Sequence, residues 1–264
     1  MSGSLNDEVL LRLAEAPSAY DPIGDGERLI VTNRYVLFLG RGDDPGFNTV
    51  QHLRLSPPAV DKAVDEVRAL ASKHGRRALT WEVASSARPP DLAGRLRAFG
   101  MVPAEPPLAV VMALLEPPPR APAGVAVSRV ETVGDFRTFV SITHEVFGKM
   151  DRLADELARI DREGARDLAD TRFVRYLAWI DGDAVAAAAA SFTNVGAVLH
   201  SGGTKAAARG RGAYRALVAA RWDDAVRRGT PRVVTRAGPM SCPILGRTGF
   251  QKIAEIELLV DRFG

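Results

Sequence analysis

The spacing of apolar and polar positions changes period repeatedly along the chain, marking short strands and helices in turn. Residues 125–130 alternate as a strand, whereas Phe136, Phe139, Val140 and Val146 recur at helical spacing, as do Leu153, Leu157 and Ile160. Residues 173–180 read as a strand, Asp181-Gly182 as a two-residue type I′ turn, and 184–192 as the returning strand. A third strand, 197–204, runs directly into a glycine-rich segment. Leu217, Val218, Trp222, Ala225 and Val226 then form a helical stripe within 213–228, and Gly229 is placed to cap it. A strand at 232–235, a short helix at 241–247 and a strand at 253–260 complete the order.

The first half echoes the later part of that order. A strand at 48–55 precedes a helix at 60–74 stopped by Gly75, a strand at 78–83, a short helix at 91–99 ending at Gly100, and a strand at 108–115. A helix closed by Gly75 or Gly229 is followed by a β run. A second helix then ends in Arg97-Ala98-Phe99-Gly100-Met101 or Arg247-Thr248-Gly249-Phe250. This is the pattern of a diverged internal duplication. Between the copies lies Pro117-Pro118-Pro119-Arg120-Ala121-Pro122-Ala123-Gly124, too rich in proline for a helix and suited to an extended connector. The sequence therefore predicts a domain over 1–116, a linker over 117–124 and a second domain over 125–264, an α/β (α+β) architecture in two halves.

Composition narrows the class. At 264 residues with 46% hydrophobic and 25% charged residues, the chain is long enough for two ordinary globular cores. A formal charge of only +3, with Arg76-Arg77 and Arg227-Arg228 as isolated pairs, lacks the clustered basic face that nucleic acid binding requires. Cys242 is the single cysteine, which excludes an internal disulfide and a multi-thiolate zinc site. His144-Glu145 begins like a zinc-protease helix, but Gly148 stands where the second histidine would be, so no metal site is expected. Apolar runs such as 108–115 and 184–192 fall far short of the roughly 20 residues that span a bilayer, and the first residues lack a signal-peptide pattern. The expectation is a cytoplasmic protein without a membrane partner. Oligomeric state is not legible.

The segment with chemistry is Arg209-Gly210-Arg211-Gly212-Ala213, between a strand and a helix. The first N–H groups of a helix have no internal partners and carry a partial positive charge, which attracts phosphate. Gly210 and Gly212 allow positive φ and close approach, and Arg209 and Arg211 offer charge-assisted hydrogen bonds. A dinucleotide loop would place a third glycine where Arg215 stands, with an acid about twenty residues on. A nucleotide-triphosphate loop would end in Gly-Lys-Ser/Thr, whereas Gly212 is followed by Ala213-Tyr214. Both alternatives fail.

The loop resembles the GNAT N-acetyltransferase family, whose pyrophosphate loop reads Gln/Arg-x-x-Gly-x-Gly/Ala after the fourth strand. Arg209 and Gly212 match its first and fourth positions, and Arg247-Thr248-Gly249-Phe250 resembles its Leu-Gly-Phe signature. Tyr214 departs from the family's small sixth residue. The resemblance covers the second half well and the first half as a degenerate copy, in which Leu55-Ser56-Pro57-Pro58 replaces the loop and no coenzyme is expected. It implies two GNAT-like halves, each a mixed, mostly antiparallel sheet flanked by helices. It also implies acetyl-CoA as acyl donor, held by Arg209, Gly210, Arg211, Gly212, Ala213 and Tyr214. Backbone around Gly203 and Thr204 would hold the pantetheine and polarise the carbonyl.

The implied function is transfer of an acyl group, in the first instance acetyl, to an amine of a small molecule or peptide. The family's usual acid and base positions fall on Leu245 and Val198, neither of which titrates. His200, on the same strand face as Val198, is a candidate base, with a hydrogen-bonded structural histidine as the plainer reading. Ser241 and Tyr214 are candidate proton donors. Their plainer readings are an N-cap and a helix-face core residue, and Cys242 beside Ser241 reads most simply as a small buried thiol. The acidic run Asp151, Asp155, Glu156, Asp161 and Glu163 reads as a solvated helix face that could attract an amine. Trp81, Phe47 and Tyr35 are either core residues or contributors to an acceptor wall. The missing acid and base leave a catalytically inactive, regulatory or structural coenzyme-binding module as the alternative.

Overall fold

The computed structural model describes residues 8–20, 23, 24, 26–238 and 241–264. They form two compact units. The C-terminal unit comprises Leu114–Thr235 with Leu245–Phe250. The N-terminal unit comprises the described residues up to Ala113 with Arg236–Ile244 and Gln251–Gly264.

The N-terminal unit runs α1 (Glu8–Glu15), β1 (Arg28–Val31), β2 (Val36–Leu39), β3 (Asn48–Gln51), α2 (Val60–Lys73), β4 (Ala78–Ala84), α3 (Leu92–Ala98) and β5 (Val102–Leu114). Strands β1, β2 and β3 pair antiparallel, and α2 carries the chain over to β4, which pairs parallel to β3 at Thr49↔Thr80 and Val50↔Trp81. Tyr35, Leu37, Leu79, Trp81, Leu92 and Leu96 are fully buried in one core, each contributing on the order of 2 kcal/mol through removal of apolar surface from water. Phe47, by contrast, is 62% exposed. The sequence reading lacks α1, β1 and β2. Strands of four residues are too short for a period to register, and what marks them is their antiparallel pairing with each other and with β3.

The C-terminal unit runs β6 (Ala126–Arg129), α4 (Val133–Val146), α5 (Leu153–Ala169), β7 (Phe173–Ile180), β8 (Asp183–Phe192), β9 (Ala197–Thr204), α6 (Ala213–Arg227) and β10 (Val233–Ala237), followed along the chain by α7 (Cys242–Gly246) and β11 (Gln251–Arg262). Strands β6 to β9 are antiparallel neighbours, and α6 crosses over to β10, parallel to β9. Asp181 and Gly182 both have positive φ, 55° and 88°, as the type I′ turn requires. Thr132 caps α4 by accepting from the Asp135 N–H at 3.0 Å. Much of the acidic run on α5 is paired, Glu156 and Glu163 with Arg159 and Asp161 with Arg137.

Both halves thus contain a run of antiparallel strands, three in the first and four in the second, and a parallel β-α-β crossover. The helix ends also agree. Gly75 and Gly229 donate to Ser72 and Val226 carbonyls, and Arg76 and Thr230 donate to Ala71 and Ala225, all at 2.9 Å. Gly100 with Met101, and Gly249 with Phe250, repeat this paired bonding after the next helix. These are left-handed Schellman caps at four corresponding positions. The last strand does not stay with the elements that precede it. β11 lies in the N-terminal unit, antiparallel to β4 on one side and to β5 on the other.

Buried polar groups fix the direction of α6. The fully buried Asp224 carboxylate accepts from Arg129 Nη2 at 2.6 Å and from the Tyr176 hydroxyl and Arg227. Burial pushes the Tyr176 phenol up to about 12, so it stays a donor. The helix is thereby tied to β6 and β7.

Candidate functional site

β9 and β10 pair only at Ala197↔Val233, Val198↔Val234 and Leu199↔Thr235. Thr235 Oγ1 donates to the Leu199 carbonyl at 3.4 Å where they part. Past that point β9 keeps β8 as its partner, with a bulge in which Ser201 and Gly202 oppose the single Ala188. Ser201 takes φ 47°. The bulge turns the strand and, among the described residues, leaves the other backbone edge of 200–204 without a strand partner. Backbone N–H and C=O groups on such an edge can bind an extended ligand.

The strand then enters the loop. Lys205 donates to Val185 at 2.9 Å, and Ala206–Ala208 form a single 3-10 turn. Gly210 has φ 81°, and Gly212, the N-cap of α6, has φ 88° with no side-chain cap. The first helical bond is from Ala216 to the Gly212 carbonyl. The N–H groups of Ala213, Tyr214 and Arg215 therefore point out of the helix end, where an anion would meet them. Glycine at 212 is required twice over, because a Cβ there would lie 2.3 Å from Pro122 Cγ. A Cβ at Gly210 would meet nothing within 4 Å. The loop is open at 210 and walled by the proline-rich connector at 212.

The two arginines differ. Arg211 forms an ion pair with Asp181 of the β7–β8 turn at 2.7 Å. Arg209 is exposed, with only a 3.5 Å contact from Nε to the Thr204 carbonyl. The Thr204 hydroxyl is buried without a hydrogen-bond partner among the described residues. Gly203 lies under Val146, with a Cβ position 2.5 Å from Cγ1.

Tyr214 is half-buried and its ring lies against β9, since a Cβ at Gly202 would be 2.9 Å from Tyr214 Cε2. The hydroxyl side faces Arg221, a fully buried guanidinium that donates to Leu217 and Ala189 carbonyls at 2.9 and 3.3 Å. Burial opposes the Arg221 charge and depresses its pKa, and the tyrosine partly offsets this. His200 is half-buried, with Nε2 3.0 Å from Ser191 Oγ and its ring stacked on Phe173 at 5.6 Å. Ser241, in the N-terminal unit, donates through Oγ to the Gly238 carbonyl at 3.1 Å, and Leu245 is buried. Gly203, Thr204, Arg209–Ala213 and Tyr214 thus line one strand-loop-helix passage, with His200 at its start. Arg221 had no role in the sequence reading, and Asp181 and Pro122 entered it only as a turn residue and a connector residue. Arg221 leaves a trace there as a charge on the apolar stripe between Leu217 and Ala225.

In the N-terminal unit the corresponding crossover is built differently. The turn before α2 is Pro57–Ala59, so two positions have no N–H, and the Ala59 N–H is used by the Ser56 carbonyl at 2.9 Å. The strands are rejoined past β3 by a parallel bridge at Arg54↔Arg88, with Leu55 donating to Arg88 at 3.0 Å and Arg88 to Leu53 at 3.1 Å. Glu15 of α1, 1% exposed, accepts there from Arg54 Nη2 at 2.9 Å and from Ser86, with His52 Nδ1 3.5 Å away. Burial alone would raise the Glu15 pKa, but the adjacent His52 imidazole and hydrogen bonds from Ser86 and Arg54 outweigh it and hold the carboxyl below its ordinary value. Trp81 and Tyr35 are core residues of this unit.

A splayed parallel pair crossed by a helix whose N-terminus is a bare glycine cradle, within an otherwise antiparallel sheet, is the GNAT fold. Solved structures agree. The chain is similar to a GCN5-related N-acetyltransferase from Kribbella flavida, 20% identical over 90% of each chain with a TM-score of 0.70. It is similar to a tandem GNAT protein from the clavulanic acid biosynthesis pathway, 18% identical over 99% of this chain and 97% of that one, TM-score 0.63. A GCN5-related N-acetyltransferase from Sphaerobacter thermophilus gives 19% identity over 96% and 90%, TM-score 0.58. No family model and no curated protein matches the sequence. Among the described residues no cluster of three metal-ligating side chains occurs, and no helix is long and apolar enough to cross a membrane.

Proposed function

We propose that the chain is an acyl-CoA-dependent N-acyltransferase that moves an acetyl group from acetyl-CoA to the amine of a small molecule or peptide. The observation that carries this reading is the continuous passage from the unpaired edge of β9 to the bare N-terminus of α6. It supplies the Ala213, Tyr214 and Arg215 N–H donors for a pyrophosphate and backbone groups at Gly203 and Thr204 for an extended pantetheine arm. The buried, unpartnered Thr204 hydroxyl fits the same occupant. Arg209 supplies the positive charge, since Arg211 is engaged by Asp181.

Acetyl-CoA brings an activated thioester. The residues orient an amine beside it, stabilise charge developing on the carbonyl oxygen through backbone N–H groups of the β9 edge, and move protons. His200, held by Ser191 and Phe173, accepts the proton of the attacking amine. Tyr214, packed on Gly202, is placed along the passage to return a proton to the departing sulfur. Ser241 is engaged with Gly238 and has no part in this scheme.

Acetyl-CoA is expected to raise the Tm of the full chain by linkage, and an amine panel to release free thiol. His200→Ala is expected to lower kcat by about 100-fold and to remove the acidic limb of the pH profile. Absence of any thermal shift with acetyl-CoA would overturn the proposal.

A further inference from the structure

Arg221, on α6 of the C-terminal unit, is a buried charge that the scheme above leaves unused. It is 1% exposed and forms no ion pair among the described residues. Nε donates to the Leu217 carbonyl at 2.9 Å and Nη1 to the Ala189 carbonyl at 3.3 Å, while Nη2 is buried without a hydrogen-bond partner among the described residues. The buried carboxylate on the same helix, Asp224, is bound by Arg129, Arg227 and Tyr176. A guanidinium keeps its charge in the interior, and a charge without a counter-ion is among the costliest groups to bury. Tying α6 to β8 needs only the two bonds to carbonyls, which an uncharged donor would also make.

The geometry shows where the charge is directed. Helical side chains lean toward the N-terminus over the preceding turn, and the bond to Leu217, four residues back, shows that Arg221 runs that way. Tyr214 lies seven residues back, about two turns along the same face of α6. The hydroxyls of Tyr214 and Tyr176 face the guanidinium, and that of Tyr176 is engaged with Asp224. The Tyr214 ring lies against Gly202 on the bulge of β9, its hydroxyl oxygen 3.7 Å from where a Gly202 Cβ would stand. One hydroxyl therefore sits between a buried, unpaired cation and the strand edge that begins the passage.

We infer that Arg221 is a positioning residue for Tyr214, its charge stabilising the oxygen anion that Tyr214 becomes when it gives its proton to the departing sulfur. This rests on the acyltransferase reading and supplies what that reading lacks, an electrostatic reason for this tyrosine to release a proton. As the carbon–sulfur bond breaks, its electron pair goes to sulfur and the Tyr214 hydroxyl proton moves there. The phenol oxygen keeps the O–H pair and becomes the counter-charge that Arg221 otherwise lacks. A proton from water restores the hydroxyl before the next turnover. Arg221 touches neither the thioester nor the amine and acts through Tyr214.

The test is a double-mutant cycle on kcat and KM in the full chain, with acetyl-CoA and the best amine of the panel, for Arg221→Gln, Tyr214→Phe and the two together. Glutamine keeps donors for the Leu217 and Ala189 carbonyls and removes the charge. Tyr214→Phe is expected to lower kcat about 100-fold and Arg221→Gln about tenfold, each with KM changed less than about twofold, because the interaction forms only as charge develops. With both changes, the loss is expected to be no larger than for Tyr214→Phe alone, and Arg221→Lys recovers most of the wild-type kcat. A packing role would instead raise KM, give additive losses and leave lysine no better than glutamine. Additive losses from a wild type that turns over would overturn this inference and leave the acyltransferase reading standing. A wild type that is stabilised by acetyl-CoA but releases no thiol with any amine would overturn both. If Arg221→Gln does not fold, Arg221→Lys carries the cycle. A loss in kcat confined to the Tyr214 background is then expected, and a loss that persists in Tyr214→Phe would overturn the inference.

Discussion

The crossover of the N-terminal half and that of the C-terminal half share a topology and a set of glycine caps, yet their strand pairing and helix starts differ. In the C-terminal unit, strand pairing stops at Leu199–Thr235, a bulge turns β9, and a glycine with φ 88° begins α6 with its N–H groups unspent. In the N-terminal unit, the strands are rejoined at Arg54↔Arg88, two prolines remove donors before α2, and Glu15 accepts from Arg54 and Ser86 beside the bridge. The comparison teaches that one topology accommodates either a helix start with unspent N–H groups or one preceded by prolines, and that a handful of local residues decide which.

The largest expected effect comes from altering the glycine start of α6. Gly212→Val places a β-branched residue at positive φ and a Cβ against Pro122, and it is expected to weaken acetyl-CoA binding at least about 100-fold by calorimetric titration. Unchanged affinity would remove the cradle from the argument. Next is the bridge region of the N-terminal unit. Glu15→Ala leaves Arg54 without its buried partner and is expected to cost roughly 2–4 kcal/mol in urea unfolding, while acetyl-CoA still binds. A loss of binding instead would show that the two halves are not separable in this way.

The Glu15 carboxyl also gives a pH signature. Its folded pKa lies below the unfolded one, so its contribution is fully present above the unfolded value and is lost as pH falls through the folded value. The stability advantage of the wild type over Glu15→Gln should therefore shrink as pH drops below about 4. An advantage that grows in acid would reverse the assignment.

The smaller effects sharpen the comparison. Arg209→Ala should weaken acetyl-CoA binding several-fold, and Arg211→Ala by less, because an exposed pair with Asp181 already holds it and such pairs contribute about 0–1 kcal/mol. The reverse ranking would mean that Arg211 leaves Asp181 when coenzyme binds. Replacing Pro57 and Pro58 by Ala and Gly should leave one acetyl-CoA site per chain, since the bridge at Arg54–Arg88 remains. A second site would place the whole difference in the prolines.

By itself the sequence determined the order of elements in the second half, the Asp181-Gly182 hairpin, the glycine caps that reveal the repeat, and the loop from Arg209 to Ala213. Each depends on backbone dihedrals or periodicity within a few residues, and glycine, proline and alternation report these directly. Tertiary structure alone decided that β11 pairs with β4 and β5 rather than staying with the elements before it. An alternating strand suits any complementary edge, and the choice among edges is made by distant residues. The same holds for Glu15 accepting from Arg54 and Ser86, Asp181 holding Arg211 and Pro122 walling Gly212. These contacts join positions far apart in the chain, and no local pattern records them.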